Sequence, residues 1–245
     1  MKKILIIGAG SAIARETAKL FARDGAHMYL CDINEGRLES VKSHLKVFGD
    51  CKINYEELDV NDFDKHETVF QNAEKTMNGI DIVFIAHGTL PDQEEARKNV
   101  KSTLKEFAIN GTSVISLSTI AANYFEEKGK GTLAVISSVA GDRGRQSNYI
   151  YGAAKGAVTL FLEGLRNRLS GTEINILTIK PGMVDTPMTA HIPKGPLFSK
   201  PEDIAKKIYD AILKAKDTVY VPGYWFLVMT VIKHIPESIF KKMKL

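Results

Sequence analysis

The sequence predicts one α/β domain over residues 1–245, a doubly wound parallel sheet of about seven strands with helices on both faces. Three observations carry that prediction. Short apolar runs alternate with stretches of helical length along the chain, the rhythm of a parallel sheet covered on both sides. No internal repeat, low-complexity block or Pro/Gly/Ser-rich linker divides it. A length of 245 residues, 44% hydrophobic and 25% charged, suits one large core and is ordinary globular composition.

The elements follow in order. Residues 3–7 read as a buried first strand, KILII. A helix over 12–24 carries Ala12, Ile13, Ala14, Ala18, Leu20 and Phe21 as apolar contacts, and Gly25 stops it. A second strand over 28–31 ends at Asp32. Helix 37–48, strand 53–58, helix 63–77 and strand 80–86 come next, the last ending near Gly88. A charged segment over 91–105 leads into a long helix that continues towards 128. Strand 132–137, helix 149–169 and strand 174–179 follow, the last stopped by Pro181-Gly182. Ser199 as N-cap and Pro201 in the first turn introduce a helix over 200–214. Residues 219–221 are a last short strand, and 222–245 form an apolar and basic tail.

Composition excludes several classes. A net charge of +4 is too mild to imply nucleic acid, and no motif of nucleic-acid recognition is present. Cys31 and Cys51 have neither disulfide-framework nor zinc spacing, and read as free thiols of a reducing cytosol. The six histidines show no ligand spacing, so no metal is expected. The N-terminal Lys-Lys-apolar run is too short for a secretory signal and lacks a cleavage site. No stretch approaches the ~20 apolar residues of a membrane span, and the expected location is cytoplasmic.

The first strand runs into Gly8-Ala9-Gly10-Ser11-Ala12-Ile13-Ala14 and then a helix. Such a turn aims backbone N–H groups and a helix N-terminus at a pyrophosphate. The pattern is nearest to G-x-x-x-G-x-G, with alanine at the last two glycine positions, which is tolerable where φ stays negative. A tight strand-to-helix turn without ligand is the structural alternative. Asp32, closing the second strand, suits the two ribose hydroxyls of NAD and would repel the 2′-phosphate of NADP. It also suits a solvated turn. NAD(H) is therefore expected as the preferred cofactor, with NADP(H) as the alternative. Asp59-Val60 ends the third strand at the same edge, where it would meet adenine or simply form a turn.

The strongest signal is Tyr151-Gly-Ala-Ala-Lys155. Four residues apart on a helix, the two side chains share a face. A phenol with a pKa near ~10 is a poor base at neutral pH, and a nearby ammonium draws it down towards the working range. Ser138 follows a strand and offers a hydroxyl to a substrate oxygen. Asn110, on the earlier long helix, could order a water that relays protons to Lys155. Tyr149 is a decoy, since position 153 is alanine.

These residues together resemble the short-chain dehydrogenases/reductases. The resemblance covers residues 1 to about 222 and rests on Gly8–Ala14, Asp32, Asp59-Val60, Asn110, Ile136-Ser137-Ser138, Tyr151/Lys155 and Pro181-Gly182. It implies a Rossmann-type fold and hydride transfer between a nicotinamide and a carbonyl or alcohol. It implies Asn110, Ser138, Tyr151 and Lys155 as the catalytic set. It also implies cofactor contacts at Gly8, Ser11, Ala12, Ile13, Asp32, Asp59, Val60, Ala86, Gly88, Tyr151, Lys155, Pro181, Gly182, Val184 and Thr186. The family's Asn-Asn-Ala-Gly is here Ile85-Ala86-His87-Gly88, which puts fine cofactor geometry in question. The stretch Gly-Ala-Gly-Ser-Ala-Ile-Ala is similar to reductases acting on lipid-linked keto-sugars.

Other features stay open at this level. His87 faces the cofactor or is a structural histidine. The Asp142-Arg143-Gly144-Arg145 segment borders the site, and its arginines bind an anionic substrate or form salt bridges. Apolar residues Ile115, Leu117, Ile120, Leu160, Phe161 and Leu165 predict a homo-oligomer. The tail's run from Tyr224 to Ile232, followed by lysines 233, 241, 242 and 244, suits a peripheral contact with an anionic membrane, or packs over the cleft. A non-catalytic dinucleotide sensor or scaffold on the same fold is the rival to an enzyme.

Overall fold

The computed structural model describes residues 1–243. Lys244, one of the tail lysines, and Leu245 lie outside the described residues. Seven strands form one sheet: β1 (Lys3–Ile7), β2 (His27–Asp32), β3 (Lys52–Glu57), β4 (Ile82–Ile85), β5 (Lys130–Ile136), β6 (Glu173–Pro181) and β7 (Thr218–Val221). Every pairing is parallel, and the order is β3-β2-β1-β4-β5-β6-β7. The chain winds outward from β1 through β2 to β3, then restarts at β4 on the other side. That reversal opens a crevice at the carboxyl ends of the strands.

The helices are α1 (Ala12–Arg23), α2 (Glu35–Leu45), α3 (Lys65–Met77), α4 (Gln93–Ala96), α5 (Val100–Phe107), α6 (Ser113–Lys128), α7 (Tyr149–Arg168), α8 (Pro201–Leu213), α9 (Tyr224–His234) and α10 (Glu237–Phe240). Strand alternation sorts the core into two layers. Ile4 and Ile6 face one layer with Phe21 of α1, Leu38 of α2 and Ile208 of α8. Leu5 and Ile7 face the other with Phe70 of α3, Phe125 of α6 and Leu162 of α7. Cys31 and Cys51 fall in opposite layers, buried and free.

Several boundaries differ from the sequence reading, each for a local reason. Helix α2 begins at Glu35, earlier than expected, because the Asn34 side chain accepts from Arg37 N at 2.8 Å and caps it. The charged segment over 91–105 itself carries two short helices, α4 and α5, and the long helix after it is α6, which starts at Ser113. Asp92 caps α4 and Asn99 caps α5, while a π-helical turn over Ala108–Thr112 joins α5 to α6. Ser199 is not the cap of α8. Lys200 holds that position, and Ser199 is tied by its backbone to Met183 O and Asp185 N in a short bridge. The tail is helical: Trp225 and Met229 of α9 and Phe240 of α10 are buried. Of the residues expected to make an oligomer contact, Leu117 and Leu165 belong to the core of the protomer, because they point at the sheet. Leu160 on the same helix as Leu165 is 71% exposed.

Candidate active site

Where the strands end, one cavity of about 680 Å³ opens. Gly8, Ser11, Ala12 and Ile13 wall one end of it. Gly8 has φ +80°, and a methyl there would also strike His87 N at 2.5 Å, so this turn admits only glycine. Ser11 caps α1, its hydroxyl accepting from Ala14 N at 3.2 Å. Ala12 and Ile13 lie in the first turn, where N–H groups lack intrahelical acceptors. Ala12 and Ala14 sit in helical backbone, so the missing glycines cost nothing in φ; Ala14 is packed in the core.

Asp32, Asp59 and Val60 line the same end. The Asp32 carboxylate accepts from Gly10 N at 2.9 Å, and its other oxygen meets Arg37 Nη1 at 3.3 Å. Arg37 and Arg15 also line the cavity. Arg37 is not among the cofactor contacts the sequence leads one to expect. Its signal was the α2 start: with Asn34 as cap, residue 37 falls in the first turn and folds back on Gly10. Asp59 Oδ1 accepts from Asn61 N at 2.9 Å, a turn within the wall.

Ala86, His87 and Gly88 continue the wall after β4. His87 Nε2 bonds to Ser113 Oγ at 2.8 Å, and Nδ1 is buried without a partner among the described residues. Burial, then the Lys155 charge, push its pKa down to about 3, so it stays neutral.

Ser138 follows β5 and caps a single turn over Val139–Asp142, its hydroxyl accepting from Ala140 N at 3.0 Å. This turn is pressed on α7. A methyl on Gly141 would lie 2.7 Å from Gly156 N, and one on Gly152 would lie 2.8 Å from Ala140 O. Small residues on both sides thus bring Ser138 to the helix that carries Tyr151 and Lys155, and all three line the cavity. Tyr149 is exposed outside it.

The electrostatics of the pair run opposite to the expectation from spacing. Burial pushes the Tyr151 phenol up to about 12, and the Ser138 hydroxyl offsets part of the rise. Burial also pushes Lys155 down to about 8. Lys155 Nζ lies 5.8 Å from the Tyr151 ring centre and donates to Ile136 O at 3.0 Å, so desolvation outweighs its pull on the phenol.

Asn110 lies outside the wall of the cavity. It is buried in the π-helical turn, donates to Thr89 Oγ1 and Glu106 O at 3.0 and 3.1 Å, and accepts from Thr89 N at 3.0 Å. It backs Gly88 closely: a methyl there would lie 2.8 Å from Asn110 Oδ1 and 3.6 Å from Lys155 Nζ.

Pro181, Gly182, Val184 and Thr186 close the far end after β6. A methyl on Gly182 would overlap the Trp225 indole, which α9 lays across the cavity. Arg145, Asn148 and Trp225 complete this end. Arg145 Nε, Asn148 Oδ1 and Trp225 Nε1 are buried without partners among the described residues. Such orphaned groups, concentrated on one cavity that already presents a glycine turn, a helix start and a ribose-type carboxylate, fit a dinucleotide and a polar substrate.

The short chain dehydrogenase family model matches residues 2–196. An uncharacterized oxidoreductase of Mycobacterium tuberculosis is 29% identical over 240 residues, 98% of this chain and 96% of the relative. One of Streptomyces coelicolor is 28% identical over 249 residues, 99% of this chain and 96% of the relative. Levodione reductase has the same fold, with a TM-score of 0.82 at 24% identity over 91% of this chain and 97% of that one. A variant of actinorhodin polyketide ketoreductase matches with a TM-score of 0.81 at 20% identity over the same shares. By the span of its family match, the chain belongs to the short-chain dehydrogenase family of oxidoreductases.

Proposed function

We propose that this protein interconverts a carbonyl and an alcohol with a nicotinamide cofactor, and that Tyr151 is its acid/base. The observation that supports this is the convergence of Ser138, Tyr151 and Lys155 on the cavity that also holds the Gly8–Ile13 turn and Asp32. A nicotinamide bound beside them would supply or accept the hydride. Ser138 holds the substrate oxygen. Tyr151, kept protonated at neutral pH by burial, donates its proton to that oxygen as the carbonyl carbon gains hydride, so ketone, hydride and proton give the alcohol. Lys155, with a pKa of about 8, remains charged at neutral pH and stabilises the phenolate left behind. Asn110 holds the Gly88-Thr89 turn against Lys155 and is a positioning residue.

NAD(H) is the preferred cofactor in this reading, because Asp32 presents its carboxylate at the ribose end. Arg37 and Arg15 keep NADP(H) as the alternative. The test is oxidation of NADH and NADPH with a panel of ketones and aldehydes. Tyr151→Phe should lower turnover by at least ~10²-fold with cofactor binding kept, while Tyr149→Phe should be mild. Near-normal turnover of Tyr151→Phe would sink the mechanism. Cofactor binding with no turnover of any compound in the wild type would favour a sensor.

A further inference from the structure

The connection between Ser138 and Tyr151 carries Asp142, Arg143 and Arg145, and the structure gives them different fates. Asp142 is saturated: Lys180 Nζ donates to Oδ1 at 2.7 Å and the Tyr220 hydroxyl to Oδ2 at 2.7 Å. Arg143 closes α9, donating to the carbonyls of Ile232 and Ile235 at 2.6 and 2.7 Å, pairing with Glu237 at 3.0 Å and covering the Phe240 ring. Arg145 lines the cavity, and its Nε has no acceptor among the described residues. The carboxylate that acts on it is Asp142, already held by Lys180 and Tyr220.

Its neighbours share the condition. Asn148 holds the N-cap position of α7, yet its side chain makes no capping bond; it lines the cavity with Oδ1 unpartnered. Trp225 Nε1, on the wall of the same cavity, is a buried donor without an acceptor among the described residues. A half-buried guanidinium whose Nε has no acceptor and whose one facing carboxylate is already engaged by Lys180 and Tyr220 is expensive unless a ligand completes it. A planar fork of N–H donors matches carboxylate or phosphate oxygens. The cofactor's phosphates are provided for elsewhere, at the turn after β1, whereas Arg145 follows β5 on the connection that carries Ser138.

We infer that the substrate carries an anionic oxyanion group, a phosphate or a carboxylate, and that Arg145 binds it. The inference rests on the carbonyl/alcohol reading of this cavity. The test uses full-length protein saturated with NAD⁺, so that the phosphate turn is filled. Cofactor binding is measured first, and a failure there sinks the underlying reading before the anion is tried. Phenylphosphonate and benzoate are then titrated calorimetrically. At least one should bind saturably, which also tells phosphate from carboxylate. Arg145→Gln should weaken that binding about 10–100-fold, and Arg145→Lys should restore part of it. Arg168→Gln, which removes a surface charge paired with Glu126, should leave it unchanged. Absence of binding by both anions to the wild type, equal binding by Arg145→Gln, or equal weakening by Arg168→Gln would overturn the inference.

Discussion

Replacing Lys155 by methionine should abolish turnover and yet stabilise the fold at neutral pH. Lys155 is buried, with one hydrogen bond from Nζ to Ile136 O at 3.0 Å, and burial lowers its pKa from 10.5 to about 8. At pH 7 the ammonium is charged in the folded and unfolded chain alike, so folding carries the full desolvation cost. Above about pH 8 the folded lysine gives up its proton while the unfolded one keeps it to about 10.5. The unfolded state then binds more protons, and stability rises with pH. Methionine has similar length and no charge to desolvate. At ~1.4 kcal/mol per pKa unit, the wild type gains about 2.5 kcal/mol on the variant between pH 7 and pH 10. The lost hydrogen bond costs the variant about 1 kcal/mol at either pH. The variant should therefore lead by about 2 kcal/mol at pH 7 and be about level at pH 10. Urea denaturation of both proteins at the two pH values reads this directly. A gap that does not change with pH, or a variant weaker at pH 7, would refute the reasoning.

Cofactor choice is checked by titrating NADH and NADPH: NADH should bind more tightly, and Asp32→Ala should narrow the difference by releasing Arg37. Tighter NADPH binding by the wild type would reverse the assignment. Val100 and Leu104 on α5 and Leu160 on α7 are exposed apolar side chains on helices that touch each other. Light scattering at micromolar concentration should show a homo-oligomer, and Leu160→Asp should shift it towards monomer; a monomeric wild type would remove the oligomer from the account.

The sheet was legible because its signal is local. Apolar runs such as those of β1, β2 and β6, closed by Gly, Asp or Pro, are long enough to mark a buried strand. The cavity's wall followed from the same signal, since Asp32 closes β2, Ser138 lies two residues after β5 and Gly182 follows β6 directly. Positions set by helix phase were harder. Arg37 depends on where α2 starts, which an asparagine side chain decides. The direction of Lys155 depends on a backbone carbonyl of β5, 19 residues away in the chain. Hence the spacing Tyr-x-x-x-Lys put the two groups on one helix face correctly but misjudged the sign of the phenol's shift. Likewise, the sequence could not divide the labour between Arg143 and Arg145, because only tertiary packing shows which guanidinium meets α9.

The tail packs on the cavity side, and whether its outer side meets a membrane is a separate prediction. Its inner side packs: Trp225 walls the cavity, and Arg143 ties the end of α9 to the Ser138–Tyr151 connection. Cutting the chain at Pro222 would thus remove part of the cavity, so surface variants are the better probe. Its outer side presents Phe226, Leu227 and Val231, the last two 67% exposed, with Ile239 beyond. Lys233, Lys241 and Lys242 flank them, all exposed. Among the described residues no helix is long and apolar enough to cross a membrane. Apolar side chains ringed by lysines match an anionic lipid surface, where each lysine contributes about 1 kcal/mol. Three lysines amount to about 3 kcal/mol, on the order of 10²-fold in binding, and salt should remove most of it. Full-length protein should co-sediment with phosphatidylserine-containing vesicles at low salt and much less with phosphatidylcholine alone. Leu227→Ser with Val231→Ser should weaken binding without loss of turnover, since both side chains point away from the cavity wall. Wild-type protein left in the supernatant at low salt would make α9 a lid and nothing more.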